Sequence, residues 1–235
     1  MKIVTFSGID GSGKSTQIES LRACLRNQEL QIASLTFWDD VAALSGFREF
    51  MSHHAFKGDR GIGSPENPLQ RRDKNVTSWP VSVARFALYL ADSLSLRWVV
   101  KRMARTGVDV VIFDRYIYDE LANLALDSWF ARGFARLLLS VTPRPDLAFL
   151  IDADPEAARA RKPEYPLEFL ERNRQSYLRL SRITGNMTII GHLSIGDAAA
   201  KMKEAALAEL VGRSRRCRSH RERLSRTNVV SAGRG

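Results

Sequence analysis

Short apolar runs rich in β-branched residues alternate along the chain with longer segments in which apolar residues recur at helical spacing. This alternation is typical of a parallel sheet with helices on both faces. The run from Val108 to Phe113 is apolar at nearly every position, which indicates a strand buried on both faces. The pattern predicts five strands, at Lys2–Ser7, Gln31–Phe37, Asp109–Asp114, Leu147–Asp152 and Met187–Ile190. It also predicts five helices, at Gly13–Asn27, Pro80–Arg105, Tyr116–Leu139, Pro166–Thr184 and Gly196–Val211.

Two segments do not follow this alternation. Residues 38–78 form a long insertion with a Gly- and Pro-rich centre, and such insertions in compact domains are usually functional loops or disordered. We expect a loop on the substrate side, with a solvated linker as the alternative. Residues 212–235 carry eight arginines, one glutamate and no apolar periodicity, so we expect a disordered basic tail.

Composition and charge fit one ordinary globular domain with an appendage. The chain has 235 residues, of which 44% are hydrophobic and 26% charged. Its net charge is +10, but +7 of that lies in residues 212–235, so the body is nearly balanced. No stretch is long and apolar enough for a membrane span, and two cysteines are too few for a disulfide framework. We therefore expect a cytoplasmic protein with no membrane partner.

The strongest motif is Gly8-Ile9-Asp10-Gly11-Ser12-Gly13-Lys14-Ser15, which matches G-x-x-x-x-G-K-[ST] between a predicted strand and a predicted helix. Glycines allow backbone amides to turn inward around a phosphate, and the helix that follows points its positive end at the same anion. The motif therefore predicts an α/β fold of the P-loop NTPase type that binds ATP, on a five-stranded parallel sheet with helices on both faces.

Side chains of this loop have separate expected roles toward ATP and Mg²⁺. Lys14 should bridge the β- and γ-phosphates, Ser15 should hold Mg²⁺ through its hydroxyl, and Thr16 can reach the α-phosphate. Asp114 ends the buried third strand, and ligands of open α/β sheets bind at that edge. We therefore expect Asp114 to organise Mg²⁺ and its waters, while its alternative role is to cap the next helix. The expected nucleotide-binding set comprises Gly8, Asp10, Gly11, Ser12, Gly13, Lys14, Ser15 and Thr16.

Three segments in this order resemble the thymidylate kinase family of P-loop nucleoside monophosphate kinases. They are the loop from Phe6 to Gln17, the triplet Asp114-Arg115-Tyr116, and the run from Pro145 to Glu156 that contains Asp152-Ala153-Asp154-Pro155-Glu156. The resemblance covers about residues 1–211, which implies one kinase domain whose mobile lid lies at about 155–167. It also implies a nucleotide substrate and a homodimer.

The resemblance implies roles for further residues. Asp10 occupies the place of an acid that contacts the sugar 3′-hydroxyl, and Arg115 that of an arginine that clamps phosphate. The lid of the family begins at an arginine that aligns with Arg161, and Arg159 and Lys162 are close enough to substitute. A lid closed over ATP excludes water and so suppresses hydrolysis. Lys14, Arg115 and Arg161 are therefore the expected catalytic residues.

The expected acceptor side departs from the family pattern. After the second strand the family carries Arg-Glu-Pro-Gly, whose arginine holds the acceptor phosphate, but this chain has Phe37-Trp38-Asp39-Asp40. Ser93 stands where a base-contacting arginine is expected, although Tyr89 could still stack on a base. Asp119 and Leu124 stand near the places of the usual Ser and Gln. The expected acceptor-binding residues are Asp10, Asp39, Tyr89 and Arg115, of which Asp39 is a candidate because related deoxynucleoside kinases carry a Glu at its place.

Three functions remain open from the sequence. A dTMP-like monophosphate acceptor needs cations but no general base, and arginines of the insertion or of the long helix could supply them. An alcohol acceptor would use Asp39 as base, because related deoxynucleoside kinases carry a Glu there. The third is a regulatory or nucleic-acid-associated ATP-binding protein, whose basic tail could contact nucleic acid weakly and without sequence preference.

Overall fold

The protein folds as an α/β domain around a parallel sheet with the strand order β2-β3-β1-β4-β5. This computed structural model describes residues 1–42, 79–124, 126–191 and 193–211. The strands are β1 Lys2–Ser7, β2 Ile32–Thr36, β3 Val110–Asp114, β4 Leu147–Ile151 and β5 Met187–Ile190. The predicted five-stranded parallel sheet is thereby confirmed, and its strand ends lie within about two residues of the expected ones.

Helices connect the strands and cover both faces of the sheet. Their bounds are α1 Lys14–Arg26, α2 Phe37–Val41, α3 Trp79–Met103, α4 Ile117–Leu121, α5 Trp129–Val141, α6 Pro155–Arg161, α7 Leu167–Thr184 and α8 Ile195–Ala206. Helix α2 is a single π-helical turn, and α8 continues into another such turn at Leu207–Val211. None of the helices in the described part of the chain combines the length and apolar character that a membrane crossing needs.

Alternate side chains of the central strands enter two separate cores. Val4 and Ile112 pack with helices α1 and α8 on one face, and their neighbours Ile3 and Val111 pack with α3, α4, α5 and α7 on the other. Because successive side chains of a strand point to opposite faces, a strand buried on both sides must be apolar throughout. This is the physical reason for the continuous apolar run at β3.

The predicted helix over Tyr116–Leu139 is wrong, because the structure divides it into α4 and α5. Residues 122–128 connect the two helices, and Leu124 and Leu126 in this connection are only 6% and 4% exposed. Apolar side chains thus continue into the core at Leu124 and Leu126, which are not helical. Ser128, which has an extended backbone, immediately precedes α5, as expected of an N-cap residue.

The insertion expected at residues 38–78 is described only at its start. Residues up to Val41 belong to the turn α2, and Val41 itself is 2% exposed within the larger core. Residues 43–78 of the insertion and the basic tail at 212–235 lie outside the described residues. The expected lid at about 155–167 corresponds to α6 and the connection to α7, and α6 was not among the predicted helices.

Candidate functional site

The loop between β1 and α1 is shaped by close approaches that leave no room for side chains. Gly8 has a φ of 145° and Gly11 a φ of 78°, both in the region that favours glycine. A Cβ atom at Gly8 would lie 2.5 Å from the Ile151 carbonyl oxygen, and one at Gly11 would lie 2.2 Å from that of Ala158. The loop is therefore packed against the end of β4 and against α6.

Helix α1 begins with amides that its own backbone does not use. Its first intrahelical hydrogen bond runs from the Gln17 amide to the Gly13 carbonyl at 3.2 Å, so the amides of the first turn before Gln17 remain available to a ligand. Ser15 and Thr16 are exposed at this end of the helix. Free amides together with the helix dipole favour an anion such as phosphate here.

Lys14 is folded back into the loop and is only 7% exposed. Its ammonium donates hydrogen bonds to the carbonyl oxygens of Gly8 at 2.9 Å and Ile9 at 2.8 Å, and it lies 3.4 Å from the Ser12 hydroxyl. Burial and the charge of Arg115 lower the pKa of Lys14 to about 8. A phosphate placed in the loop would supply an anion close to this buried cation and so favour its charged form.

Arg115 joins the end of β3 to the loop. Its backbone has a φ of 70°, which is uncommon outside glycine, and its amide donates to the Phe6 carbonyl at 3.0 Å. The guanidinium donates from Nη2 to Oδ1 of Asp10 and forms an ion pair with it. Burial acts to raise the pKa of Asp10, but the charges of Arg115 and Lys14 together hold it below its usual value. The positive φ of Arg115 is a strained backbone conformation, and such strain is concentrated at functional sites.

Asp114 lies beside Arg115 at the carboxyl edge of the sheet and is half-buried. Burial raises the pKa of its carboxyl group, while the charges of Lys14 and Arg115 act in the opposite direction. Within the described residues there is no group of three or more acids, histidines or cysteines that could hold a metal. Magnesium commonly uses one or two protein ligands completed by phosphate oxygens and water, so Ser15 and Asp114 fit that ion together with a bound nucleotide.

Helix α6 brings its cations toward the loop. A Cβ atom added at Gly13 would lie 3.9 Å from Nη1 of Arg161. The Nε of Arg161 donates a hydrogen bond to the Ala157 carbonyl at 3.1 Å. Lys162 is close enough to lower the pKa of Asp10, and its ammonium lies 3.3 Å from the Glu164 carboxylate. The structure thus places Arg161 and Lys162 beside the same loop as Lys14 and Arg115.

The expected acceptor residues are not all brought together. Asp39 is exposed on α2, which follows β2 directly. Thr36, the last residue of β2, pairs in register with Asp114 of β3. Tyr89 is 5% exposed and belongs to the larger core, so its role in base stacking stays a prediction. Ser93 is fully buried, and its hydroxyl donates to the Tyr89 carbonyl at 3.0 Å.

The cations considered for an acceptor phosphate clamp were those of the insertion and, on the long helix, Arg85 and Arg97. Those of the insertion, Arg48, Arg60, Arg71 and Arg72, lie outside the described residues together with Lys74. Arg97 of α3 donates from Nη1 to the Val141 carbonyl at 3.0 Å and so links α3 to the end of α5. The described residues therefore include the whole phosphate loop but only some of the cations considered for an acceptor phosphate clamp.

The sequence indicated Asp119 only as a departure from the family pattern, and its contacts in the site were not predicted. The Asp119 carboxylate accepts hydrogen bonds from the Ser7 hydroxyl at 2.8 Å and the Tyr177 hydroxyl at 2.7 Å, close to Arg115. The position of Asp119 four residues after Arg115 was only a weak local signal for a contact between the two side chains. Ser7 and Tyr177 gave no signal, because they approach Asp119 only through the tertiary fold.

Curated thymidylate kinases resemble this chain over most of its length, whereas no family model matches it. A probable thymidylate kinase of Methanosphaera stadtmanae is 25% identical over 195 residues, 80% of this chain and 87% of the relative. A probable thymidylate kinase of Pyrobaculum aerophilum is 28% identical over 223 residues, 91% of this chain and 97% of the relative. The thymidylate kinase of Bifidobacterium longum is 28% identical over 193 residues, 78% and 85% of the two chains.

Proposed function

We propose that this chain, which is thymidylate kinase-like over most of its length, transfers the γ-phosphoryl group of ATP to a nucleoside monophosphate, with dTMP as the favoured acceptor. The observation that carries the proposal is the placement of Lys14, Asp114 and Arg115 at one edge of the sheet. Lys14 lies inside the loop, Asp114 ends the adjacent strand, and Arg115 is ion-paired with the loop residue Asp10. Phosphoryl transfer needs this kind of positioned positive charge more than covalent chemistry.

On the donor side, the loop amides and Lys14 would hold the phosphates of ATP. Binding replaces the carbonyl contacts of the Lys14 ammonium by contacts to phosphate oxygens, which favour its charged form. Arg161 would approach from α6 and add a cation that stabilises charge on the transferred group. Ser15 and Asp114 would hold Mg²⁺, which neutralises phosphate charge when bound.

On the acceptor side, the attacking phosphate oxygen of a monophosphate is already ionised, so no side chain has to remove a proton. Arg115 would hold this phosphate, and Asp10 would orient the guanidinium while contacting the sugar. This arrangement favours a monophosphate over the two other functions considered, an alcohol kinase with Asp39 as base and a regulatory or nucleic-acid-associated protein.

The proposal extends to a homodimer. Helix α3 exposes Leu94 and Trp98 to 55% and 61%, four residues apart on one side of the helix, and α5 exposes Phe130 to 53%. Exposed apolar side chains concentrated on neighbouring helices support an interaction surface. Light scattering of the purified chain measures its mass in solution and tests this part directly.

The proposed activity is tested by ADP formation from Mg-ATP with a panel of acceptors. The panel contains dTMP, the other common nucleoside monophosphates and thymidine, and Lys14→Ala serves as the matched inactive variant. We expect turnover with dTMP, and a loss of at least about 10²-fold in the folded Lys14→Ala variant. Turnover with thymidine alone would instead assign the reaction to an alcohol acceptor.

A further inference from the structure

A carboxylate buried close to Arg115 is held from three sides. Asp119 is 3% exposed, and its Oδ2 accepts from the Ser7 hydroxyl at 2.8 Å and from the Tyr116 amide at 3.0 Å. Its Oδ1 accepts from the Tyr177 hydroxyl at 2.7 Å. These donors come from β1, from the residue before α4, and from α7, so the position of the carboxylate is fixed by three separate elements.

The same carboxylate also faces Arg115. Oδ1 of Asp119 lies 3.9 Å from Nη1 of Arg115, while Nη2 of the same guanidinium is paired with Asp10. The guanidinium is thus held between a carboxylate of the loop and one of the protein interior. The charges of Asp119 and Asp10 also raise the pKa of Arg115, although burial acts against them.

We propose that Asp119 is a positioning residue that fixes the Arg115 guanidinium at the phosphate loop through its negative charge and its three hydrogen bonds. This inference rests on the proposed function, in which Arg115 binds the acceptor phosphate. A guanidinium already oriented by two carboxylates loses less rotational freedom when phosphate binds, and it is in place when the transition state forms.

The substitution Asp119→Asn would keep the shape of this side chain but change its polarity. The Tyr116 amide can only donate, so the oxygen of the introduced carboxamide would have to face it. The carboxamide nitrogen would then point toward Tyr177, whose hydroxyl can accept, and toward Nη1 of Arg115, which cannot. Two donors would therefore face each other, and the guanidinium should turn away from its present position.

The kinetic test compares Asp119→Asn in two backgrounds. In the native background we expect kcat for dTMP to fall about 10- to 100-fold, with the KM for ATP changed less than about threefold. In an Arg115→Met background, single-turnover rates should change less than about twofold on adding Asp119→Asn, because the residue acts through Arg115. Asp127→Asn removes the carboxylate of an exposed arginine pair with Arg179 and serves as the matched control. Equal losses in both backgrounds would overturn the proposal.

A second readout does not depend on turnover. The Nε–Hε signal of Arg115 in a proton–nitrogen NMR spectrum, assigned by its loss in Arg115→Lys, reports the order of the guanidinium. We expect a resolved signal in the native chain that shifts and broadens in Asp119→Asn but not in Asp127→Asn. An unchanged signal would contradict the positioning role, whereas a native chain with an ordered Arg115 and no transfer would contradict only the proposed function.

A milder variant covers the case in which Asp119→Asn fails to fold. Tyr177→Phe removes one donor and leaves the Asp119 charge in place. We expect kcat to fall about two- to tenfold, and this loss to disappear in the Arg115→Met background. Full activity in folded Tyr177→Phe, or a loss that persists without Arg115, would overturn the proposal.

Discussion

The Arg115 guanidinium donates a hydrogen bond from Nη2 to Oδ1 of Asp10, which ties the residue after β3 to the middle of the phosphate loop. The two residues are 105 positions apart in the sequence. Their contact is made possible because β1 and β3 are adjacent parallel strands, with Phe6 opposite Asp114. The loop and the triplet that begins at the end of β3 therefore form one charged site.

Arg115→Lys is expected to lower kcat by about 10²- to 10³-fold without unfolding the chain. Lysine keeps the charge but cannot span two carboxylates with a planar fork of donors. Arg179→Lys is the matched control, because Arg179 of α7 forms an exposed ion pair with Asp127. Its rate should stay within about twofold of the native rate. Steady-state kinetics with dTMP check both variants, and a fully active Arg115→Lys would exclude Arg115 as the phosphate clamp.

Nucleotide binding is expected to take up protons in alkaline solution. The pKa of Lys14 is lowered to about 8 in the chain without ligand, and phosphate should raise it again. Calorimetric titration with ADP at about pH 9, in two buffers of different ionisation enthalpy, measures the protons taken up. Lys14→Met should remove this uptake, and a native chain that binds ADP without it would contradict the assignment.

The same group gives a defined sign to the pH dependence of stability. In the unfolded chain the side chain of Lys14 has the ordinary lysine pKa of 10.5, whereas in the folded chain its pKa is about 8. Between these values the unfolded chain binds more protons, so the contribution of Lys14 to the free energy of unfolding increases with pH. Below about 8 both states are protonated and this contribution is constant. Denaturant unfolding of the native chain and of Lys14→Met across this pH range measures the difference in slope.

Gly11→Ala is expected to destabilise the chain by at least about 2 kcal/mol. The backbone at Gly11 is strained for a residue with a side chain, and the added Cβ would lie 2.2 Å from the Ala158 carbonyl oxygen. Gly133→Ala is the matched control, because Gly133 lies within α5 and a Cβ there meets nothing within 4 Å. That variant should be stabilised by about 0.5–1 kcal/mol. Denaturant unfolding measures both, and equal stabilities would show that α6 does not pack on the loop as described.

Asp39→Asn separates the two kinds of acceptor. Asp39 is exposed, and transfer to an ionised phosphate needs no base, so the rate with dTMP should change less than about threefold. Asp109→Asn, at the opposite end of the sheet, provides a control with the same change of charge. With thymidine as the acceptor, a loss of about 10²-fold or more in Asp39→Asn but not in Asp109→Asn would identify Asp39 as a general base.

Most of the sheet could be predicted from the sequence, because buried parallel strands require continuous apolar runs. Helix α6 could have been found as well, since Asp154 caps it and Pro155 stands at its first turn, but its seven residues are too few for a periodic pattern. The break between α4 and α5 was hidden because Leu124 and Leu126 continue the apolar pattern through a connection.

The loop motif located Lys14, and the resemblance located Arg115 and Arg161, but neither indicated how these cations are held. The contact between Arg115 and Asp10 and the hydrogen bonds to Asp119 depend on which strands are neighbours and where α7 packs. Local sequence signals report caps, turns and periodicity, whereas such contacts between distant residues appear only in the fold.

The central claim is tested most directly by following the phosphoryl group itself. The purified chain is incubated with Mg²⁺, dTMP and ATP radiolabelled in the γ-phosphoryl group, and the products are separated. We predict labelled dTDP from the native chain and a reduction of at least about 10²-fold with folded Lys14→Ala. Label that remains in ATP, or that appears only in inorganic phosphate, would contradict the account.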